Sequence, residues 1–287
     1  MIGLFDSGSG GLTVLAACAD ALPDRRFIYL GDHAQTPYGP RSADDIQRLT
    51  RRGVAHLFAR GCRLVLIACN TAAAVALRPL QQTWLAEDHA DRRVLGVHVP
   101  LIEALTGTQW AQPASLPRRA GQGPRTIAVF ATPATVASGA FERETALRAE
   151  GLTVLSQACP GLADAIEAGE DAEALTARIG GFWDALAHDP RAAAIDSVVL
   201  ACTHYPLVAP LFADVLPRRI QILVQPHIVA GALVGYLARN PHLSVRRDAE
   251  GAGGAGVTLL TTGDPALLVD ASPWLPPRFR HFERVRL

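Results

Sequence analysis

The sequence of 287 residues contains no lysine, because all 27 basic residues are arginine. Enzymes that use pyridoxal phosphate need a lysine to form a Schiff base, and Walker-type phosphate-binding loops need a lysine at a fixed place. The absence of lysine therefore excludes both kinds of site.

The sequence also lacks an excess of charge of either sign and a long apolar segment. Its 27 acidic residues balance the arginines, so no basic surface for nucleic acid or for an anionic membrane is indicated. No uninterrupted apolar run reaches about 18 residues, and no basic leader precedes Ile2. We expect a soluble cytoplasmic protein that binds a small molecule, with neither nucleic acid nor membrane as a partner.

The sequence also lacks a pattern of paired cysteines. The sequence has five cysteines, an odd number, and none of them stands in a C-x-x-C motif. This argues against a disulfide framework and against a zinc site, so we expect no metal. Cys18 and Cys62 lie in helix-like stretches and are predicted to be buried apolar residues.

Short apolar runs alternate with longer amphipathic segments, and the apolar content of 49% is ample for folded cores. Runs rich in Val, Ile and Leu predict buried parallel strands of an α/β fold, here two doubly wound sheets. The predicted strands are residues 2–5, 27–30, 63–68, 93–97, 126–130, 153–158, 197–201, 220–224 and 257–262. Two stretches rich in Pro or Gly, residues 112–124 and 250–256, are predicted surface loops.

One short phrase occurs twice, each time with a cysteine between an apolar run and a polar turn. Residues 66–71 read LIACNT and contain Cys69, and residues 199–204 read VLACTH and contain Cys202. A second pair of similar phrases precedes them at a comparable spacing, at residues 2–8 and 127–133. The repetition predicts two related halves, which would place the two thiols on opposite sides of one pocket.

Both cysteines stand at the ends of predicted strands, where ligands collect in α/β sheets because helix N-termini point amide donors outward. A thiol acts as a base only as thiolate, so its pKa of about 8.5 must be lowered by a helix N-terminus, a cation or a hydrogen-bond donor. Two matched thiols can remove a proton from one face of a tetrahedral carbon and return a proton to the other. Without pyridoxal or zinc, electrostatics must make that carbon acidic. The pattern predicts cofactor-independent racemisation.

Further motifs stand at the other strand ends. They are residues 5–14 (FDSGSGGLTV), 30–32 (LGD), 37–39 (PYG), 68–72 (ACNTA), 131–133 (ATP) with 135 and 138–139, 158–160 (ACP) with 167, and 201–207 (ACTHYPL). In these segments, which span roughly residues 2 to 210, the chain resembles the cofactor-independent aspartate/glutamate racemase family. Thr203 and His204 resemble the members that act on glutamate, since members that act on aspartate tend to carry Glu after Cys-Thr.

The resemblance implies a fold of two pseudo-symmetric α/β domains with the active site between them. We place residues 1–98 and 209–287 in the first domain and residues 99–208 in the second. The implied reaction interconverts L-glutamate and D-glutamate without a cofactor and supplies D-glutamate for peptidoglycan. Members of the family are often dimeric, so a homodimer is a possible assembly.

The resemblance also implies roles for individual residues. Cys69 would serve the D-glutamate face and Cys202 the L-glutamate face, assisted by Asp6 and by His204 with Glu167 nearby. The residues implied to bind the substrate carboxylates and ammonium group are Ser7, Pro37, Tyr38, Gly39, Asn70, Thr71, Thr132, Thr135 and Thr203.

The sequence departs from the resembled family at two places. Residues 98–100 read HVP, where the family usually carries an acidic residue before the proline. Residues 223–227 read LVQPH, where the family usually has an Asp-Ser/Thr-Gly-like turn. Neither departure replaces a residue with an implied catalytic role.

Three alternatives to a glutamate racemase remain open at this point. One is a racemase for aspartate or another amino acid. Another is a hydrolase that uses Cys202 with His204, which leaves Cys69 without a role. The third is a binding protein that kept the pocket and lost the activity.

Overall fold

A computed structural model of the chain describes residues 1–107, 125–243, 256–271, 274 and 276–287. The predicted loops at residues 112–124 and 250–256 lie outside these residues, except for Gly256. The strands of the described chain are β1 (Ile2–Asp6), β2 (Phe27–Gly31), β3 (Leu64–Ile67), β4 (Arg93–Gly96), β5 (Arg125–Ala131), β6 (Leu152–Ala158), β7 (Ile195–Ala201), β8 (Gln221–Leu223), β9 (Val257–Thr261) and β10 (Phe282–Arg284).

Helices follow most of these strands. The α-helices are α1 (Leu12–Ala21), α2 (Ala43–Ala59), α3 (Asn70–Gln82), α4 (Trp84–Asp88), α5 (His98–Thr106), α6 (Pro133–Ala137), α7 (Ala140–Ala146), α8 (Leu162–Glu167), α9 (Ala172–Ala187), α10 (Ala209–Val215), α11 (Gln225–Arg239) and α12 (Pro265–Ala271). Short 3-10 helices occupy His33–Gln35, Pro190–Ala194, Tyr205–Val208, Pro241–Leu243 and Pro277–Phe279. In the described part of the chain, no helix is long and apolar enough to cross a bilayer.

The strands form two sheets, and every strand pair in them is parallel. The first sheet has the order β10-β9-β2-β1-β3-β4, and the second has the order β6-β5-β7-β8. The order β2-β1-β3-β4 matches the order β6-β5-β7-β8 strand for strand. The fold predicted from the sequence, two related doubly wound halves, is therefore confirmed, and β9 and β10 extend only the first half.

The point at which the chain returns to the first sheet differs from the prediction. β8 pairs with β7, with Ser197 opposite Gln221, so residues 221–223 belong to the second sheet. The next helix, α11, buries Val229 and Leu233 in the core of the first half. We therefore place the proposed domain boundary after Leu223 instead of before residue 209, because strand pairing and not motif position decides where this segment belongs.

Each sheet is covered on both faces, so nearly all residues of its central strands are buried. All five residues of β1 are buried, for example, as expected for a parallel strand between two helical layers. The sequence pattern does not predict β10, because the strand is only three residues long and both Glu283 and Arg284 are exposed.

Candidate active site

The carboxyl ends of the two sheets surround a cavity of about 170 Å³, and both Cys69 and Cys202 line it. The other lining residues are Ser7, Thr36, Pro37, Tyr38, Gly39, Pro40, Asn70, Thr71, Thr132, Pro133, Cys159, Pro160, Gly161, Ala163, Asp164, Thr203 and His204. A larger cavity of about 330 Å³ lies between α3, α5 and α7. It contains neither thiol, so the smaller cavity is the candidate active site.

Cys69 lies between β3 and α3, where the buried apolar strand gives way to the first turn of a 13-residue helix. Its sulfur caps that helix by accepting a hydrogen bond from the Ala72 N–H over 3.4 Å. The Ser7 hydroxyl, from the loop after β1, lies 3.3 Å from the same sulfur. The thiol is therefore held by one group from its own helix and one from the neighbouring loop.

Burial raises the pKa of Cys69 to about 12, and the negative charge of Asp6 raises it as well. The hydrogen bonds from Ser7 and Ala72 lower this pKa by less than the other two effects raise it. The expected depression of the pKa by the helix N-terminus is thus outweighed at Cys69. A pKa raised in this way favours the thiol form of Cys69 at neutral pH.

Asp6 ends β1 and is buried beneath the glycine-rich turn. Its Oδ1 accepts a hydrogen bond from the Gly8 N–H over 2.8 Å, whereas Oδ2 has no hydrogen-bond partner among the described residues. Burial raises the pKa of this carboxyl. A Cβ at position 11 would lie 2.7 Å from the Asp6 side chain, so the turn needs Gly11 at this point.

Cys202 follows β7 at the position that Cys69 occupies after β3, and His204 is its neighbour in the cavity. The Cys202 sulfur lies 4.0 Å from His204 Nδ1, and His204 Nε2 lies 2.5 Å from Glu167 Oε2 at the end of α8. Burial lowers the pKa of His204. The hydrogen bonds to Cys202 and Glu167, and negative charge on those two groups, raise this pKa by more than burial lowers it, so it lies well above the ordinary value. The raised pKa favours the imidazolium form of His204 beside the second thiol.

Three threonine hydroxyls connect the two halves at one edge of the cavity. Thr71 of α3 lies 2.8 Å from Thr132, the N-cap of α6, measured between the two Oγ1 atoms. Thr132 in turn lies 2.9 Å from the Thr135 hydroxyl and accepts the Thr135 N–H. These hydroxyls can each donate to or accept from a polar ligand group.

The glycine-rich turn after β1 is held from several sides. The Tyr29 hydroxyl donates to the Gly8 carbonyl over 2.6 Å, and the Ser9 hydroxyl lies 3.1 Å from His33 Nε2. At the far end of the turn, the Thr13 hydroxyl donates to the Thr203 carbonyl of the other half over 3.2 Å. This turn is therefore positioned by both halves of the molecule.

Most of the site residues predicted from the sequence lie in the cavity wall, and three lie outside it. Asp6, Glu167 and Thr135 do not line the cavity but contact residues that do, or act on them electrostatically. Tyr38 lines the cavity while its hydroxyl donates to Asp32 over 2.8 Å, so this hydroxyl serves the protein rather than the ligand. The catalytic and binding roles of all these residues remain predictions.

Sequence reasoning missed several residues that the tertiary structure brings to the site. Thr36, Cys159 and Asp164 line the cavity, and the side chain of Gln225 pairs with Asn70. Cys159 follows β6, so its position after a predicted strand was a usable signal. Gln225 lies in a segment that departs from the resembled family, but its pairing with Asn70 could not be read from the sequence, because the two residues are 155 positions apart.

Comparison with known proteins agrees with this geometry. Residues 10–230 match the family model described as Asp/Glu/Hydantoin racemase. A glutamate racemase of Paracoccus denitrificans is 49% identical over 267 residues, covering 92% of each chain. A glutamate racemase isoform of Bacillus anthracis superposes with a TM-score of 0.80 at 28% identity, covering 100% of this chain and 97% of the other. The glutamate racemase of Francisella tularensis, solved in complex with D-glutamate, gives 0.81 at 25% identity, covering 99% and 97%.

Proposed function

The chain belongs to the Asp/Glu/hydantoin racemase family, and we propose that it interconverts L-glutamate and D-glutamate by proton transfer at the α-carbon. One observation carries the proposal: two thiols at equivalent positions of the two related halves line the same cavity. Its relatives named as glutamate racemases, matched over most of both chains, support the choice of substrate.

The proposed reaction uses one thiolate as the base and the other thiol as the acid. A thiolate takes the α-proton from one face of glutamate, and the opposite thiol gives its own proton to the other face, which inverts the carbon. Cys202 takes the proton from L-glutamate and Cys69 takes it from D-glutamate. After each turnover the two thiols have exchanged protonation states, so another turnover in the same direction requires the original states to be restored.

The neighbours of each thiol support these roles. The His204 imidazolium stabilises a thiolate at Cys202, and Glu167 keeps that imidazole protonated. On the other side Asp6, whose pKa is raised by burial, can take up a proton that Cys69 has to release. Asp6, His204 and Glu167 are therefore proposed to set the protonation states of the thiols.

The carbanion formed at the α-carbon needs stabilisation by fixed charges and dipoles. α3 begins at Asn70, and its first two residues line the cavity, so the positive end of the helix dipole favours a carboxylate there. The substrate ammonium group brings a positive charge close to the thiols, which lowers the pKa that burial raises at Cys69. The substrate thus helps to generate the base that acts on it.

The residues predicted to bind substrate supply donors without a formal charge. Ser7, Asn70, Thr71, Thr132 and Thr203 surround the cavity with hydroxyl and amide groups. Such groups can hold carboxylates by hydrogen bonds, and they remain in place while charge develops on the substrate. Product D-glutamate is a building block of peptidoglycan, and supplying it is the proposed role of the reaction.

A racemisation assay tests the proposal. Purified protein is incubated separately with L-glutamate, D-glutamate, L-aspartate and D-aspartate without an added cofactor, and the circular dichroism signal of the amino acid is followed. We expect the glutamate signals to decay to zero and the aspartate signals to persist. If only the aspartate signals decay, the substrate is aspartate and not glutamate. If no signal decays, the protein is not a racemase for either amino acid, and a ligand-binding role is favoured.

Isotope labelling tests the mechanism in the same reaction. In deuterium oxide each product molecule takes its α-hydrogen from a solvent-exchanged thiol. We expect deuterium at the α-carbon of product from the first turnovers.

A hydrolase based on Cys202, His204 and Glu167 has suitable neighbours in the structure, but it would form a thioester with an acyl substrate and would leave Cys69 without a function.

A further inference from the structure

Gln225 begins α11, the helix that follows the last strand of the second sheet, and its side chain is completely buried. Its amide pairs with that of Asn70 in both directions. Asn70 Nδ2 donates to Gln225 Oε1 over 2.8 Å, and Gln225 Nε2 donates to Asn70 Oδ1 over 3.1 Å. The residue that departs from the resembled family thus reaches directly to the start of α3.

Asn70 stands beside Cys69 and lines the active-site cavity, although only 2% of it is exposed. A primary amide has two N–H groups and a carbonyl oxygen with two lone pairs. The reciprocal pair uses one N–H and one lone pair of Asn70. One N–H and one acceptor position of its amide are left for a group in the cavity.

We propose that Gln225 is a positioning residue, which holds the Asn70 amide in the orientation that presents its second N–H to a substrate carboxylate. The inference rests on the proposed function. Without Gln225, two buried polar groups of Asn70 would lose their partners, and the amide would rotate to find others. A donor that is already oriented costs no reorganisation when the substrate binds.

The place of Gln225 in the fold strengthens this role. Gln225 directly follows the segment in which the chain leaves the second sheet, whereas Asn70 begins a helix of the first half. From that point α11 packs into the first core through Val229 and Leu233. The amide pair therefore connects the start of α11, where the chain returns to the first half, to α3, the helix that Cys69 caps.

Substitution of Gln225 by methionine tests the proposal, because methionine has a similar length and makes neither hydrogen bond. We expect the KM for L-glutamate and for D-glutamate to rise about tenfold, as for the loss of one to two hydrogen bonds, while kcat changes by less than about twofold. Gln221→Met is the matched control. Gln221 is exposed on β8, and its variant should keep the wild-type KM.

A double variant separates a role through Asn70 from an independent one. If Gln225 acts only through Asn70, then Asn70→Leu/Gln225→Met has the same KM as Asn70→Leu alone. A KM equal to the product of the two single effects would overturn the inference. Gln225→Asn, one methylene shorter, provides a second test if the methionine variant does not fold, and its KM should rise as well.

The outcomes also separate this inference from the proposed function. Wild-type protein that does not racemise glutamate would contradict the proposed function itself. Wild-type protein that racemises glutamate, together with a Gln225→Met variant of unchanged KM, would overturn the positioning role alone.

Discussion

The two thiols occupy equivalent positions, yet their surroundings carry opposite charge. Cys69 lies near the Asp6 carboxyl, and its pKa is raised to about 12. Cys202 lies 4.0 Å from His204, whose pKa is raised well above the ordinary value. In the proposed mechanism, this difference suits Cys202 to act as the base and Cys69 to act as the acid on L-glutamate. The proposed resting state is thus ready for L-glutamate.

Replacement of either thiol tests whether both are needed. We expect Cys69→Ser and Cys202→Ser each to lower kcat for racemisation by about 10²- to 10⁴-fold, the usual contribution of a positioned acid or base. Cys18→Ser is the control, since Cys18 is buried in α1 away from the cavity. Steady-state assays in both directions measure the effect, and near-wild-type activity in either active-site variant would rule out the two-thiol mechanism.

The contact between His204 and Glu167 predicts a shifted pH dependence. In Glu167→Gln the raised pKa of His204 should fall, because a negative partner is lost. The limb of the pH profile of kcat/KM that reports loss of the imidazolium should then move to lower pH. Glu170→Gln, which alters a carboxylate paired with Arg178, should leave the profile in place.

The same variant should change stability in a pH-dependent way. A group whose pKa is raised in the folded state adds stability that is fully present below its unfolded pKa, about 6.5 for His, and is lost as the pH rises through the folded value. Glu167→Gln should therefore destabilise most below about pH 6.5 and progressively less above it. Urea unfolding midpoints at several pH values measure this, and a pH-independent difference would contradict it.

At the level of elements, the site depends on where strands end and on what holds those ends in place. β1 ends at Asp6, and the residue before Asp6, Phe5, is completely buried against α2. α2 can approach this strand because it carries Gly53, where a Cβ would lie 2.1 Å from the Phe5 ring. A helix glycine is therefore required here by packing rather than by a turn.

Two glycine substitutions in helices should act with opposite sign. Gly53→Ala should destabilise by about 1–3 kcal/mol, because the added Cβ would overlap the ring of the fully buried Phe5. Gly181→Ala should stabilise by up to about 1 kcal/mol, since a Cβ on this exposed position of α9 meets no atom of the described chain within 4 Å. Chemical denaturation midpoints compare the two. Equal effects would contradict the packing argument.

At the level of the whole molecule, the cavity exists only because the two halves face each other. Polar contacts cross between them at the threonine hydroxyls and at the Thr13 contact with the Thr203 carbonyl. A ligand in this cavity contacts both halves at once. Binding should therefore stabilise the molecule as a unit.

Thr71→Val tests the threonine contact between the halves. We expect the KM for glutamate to rise about tenfold and the ligand-induced increase in Tm to shrink, because the Thr132 hydroxyl loses its partner from the other half and the cavity loses a donor. Thr50→Val makes the same change in α2, where the buried hydroxyl has no hydrogen-bond partner among the described residues. This control should keep its KM and the Tm increase. If Thr50→Val also raises the KM and reduces the ligand-induced increase in Tm, the effect of Thr71→Val is not specific to the contact between the halves.

Most of the fold was predictable because each strand and each polar turn is encoded locally. The nine predicted strands all form, and the repeated phrases around Cys69 and Cys202 correctly indicate two related halves. The boundary near residue 209 was not predictable in the same way. The short strand β8 joins the second sheet by pairing with β7, which is a long-range choice.

The same distinction between local and long-range information applies to the candidate site. Most residues predicted for the site follow strands and lie in the cavity wall, so their positions could be read from the pattern. The partner of Asn70 could not, because Gln225 is recognised only by a contact across 155 positions. The charge difference between the two thiols also depends on distance and burial, which no short motif encodes.

Local sequence was sufficient for the chemistry that this chain can offer: two matched thiols, no lysine, and hydroxyl and amide groups at strand ends. The tertiary structure determines which of those groups lie next to each other and which are buried. It buried Asp6 near Cys69, placed His204 between Cys202 and Glu167, and paired Asn70 with Gln225. The physical reason is that side-chain identity and periodicity act over a few residues, whereas pKa values and hydrogen-bond partners depend on which distant groups the packed core brings within a few ångströms.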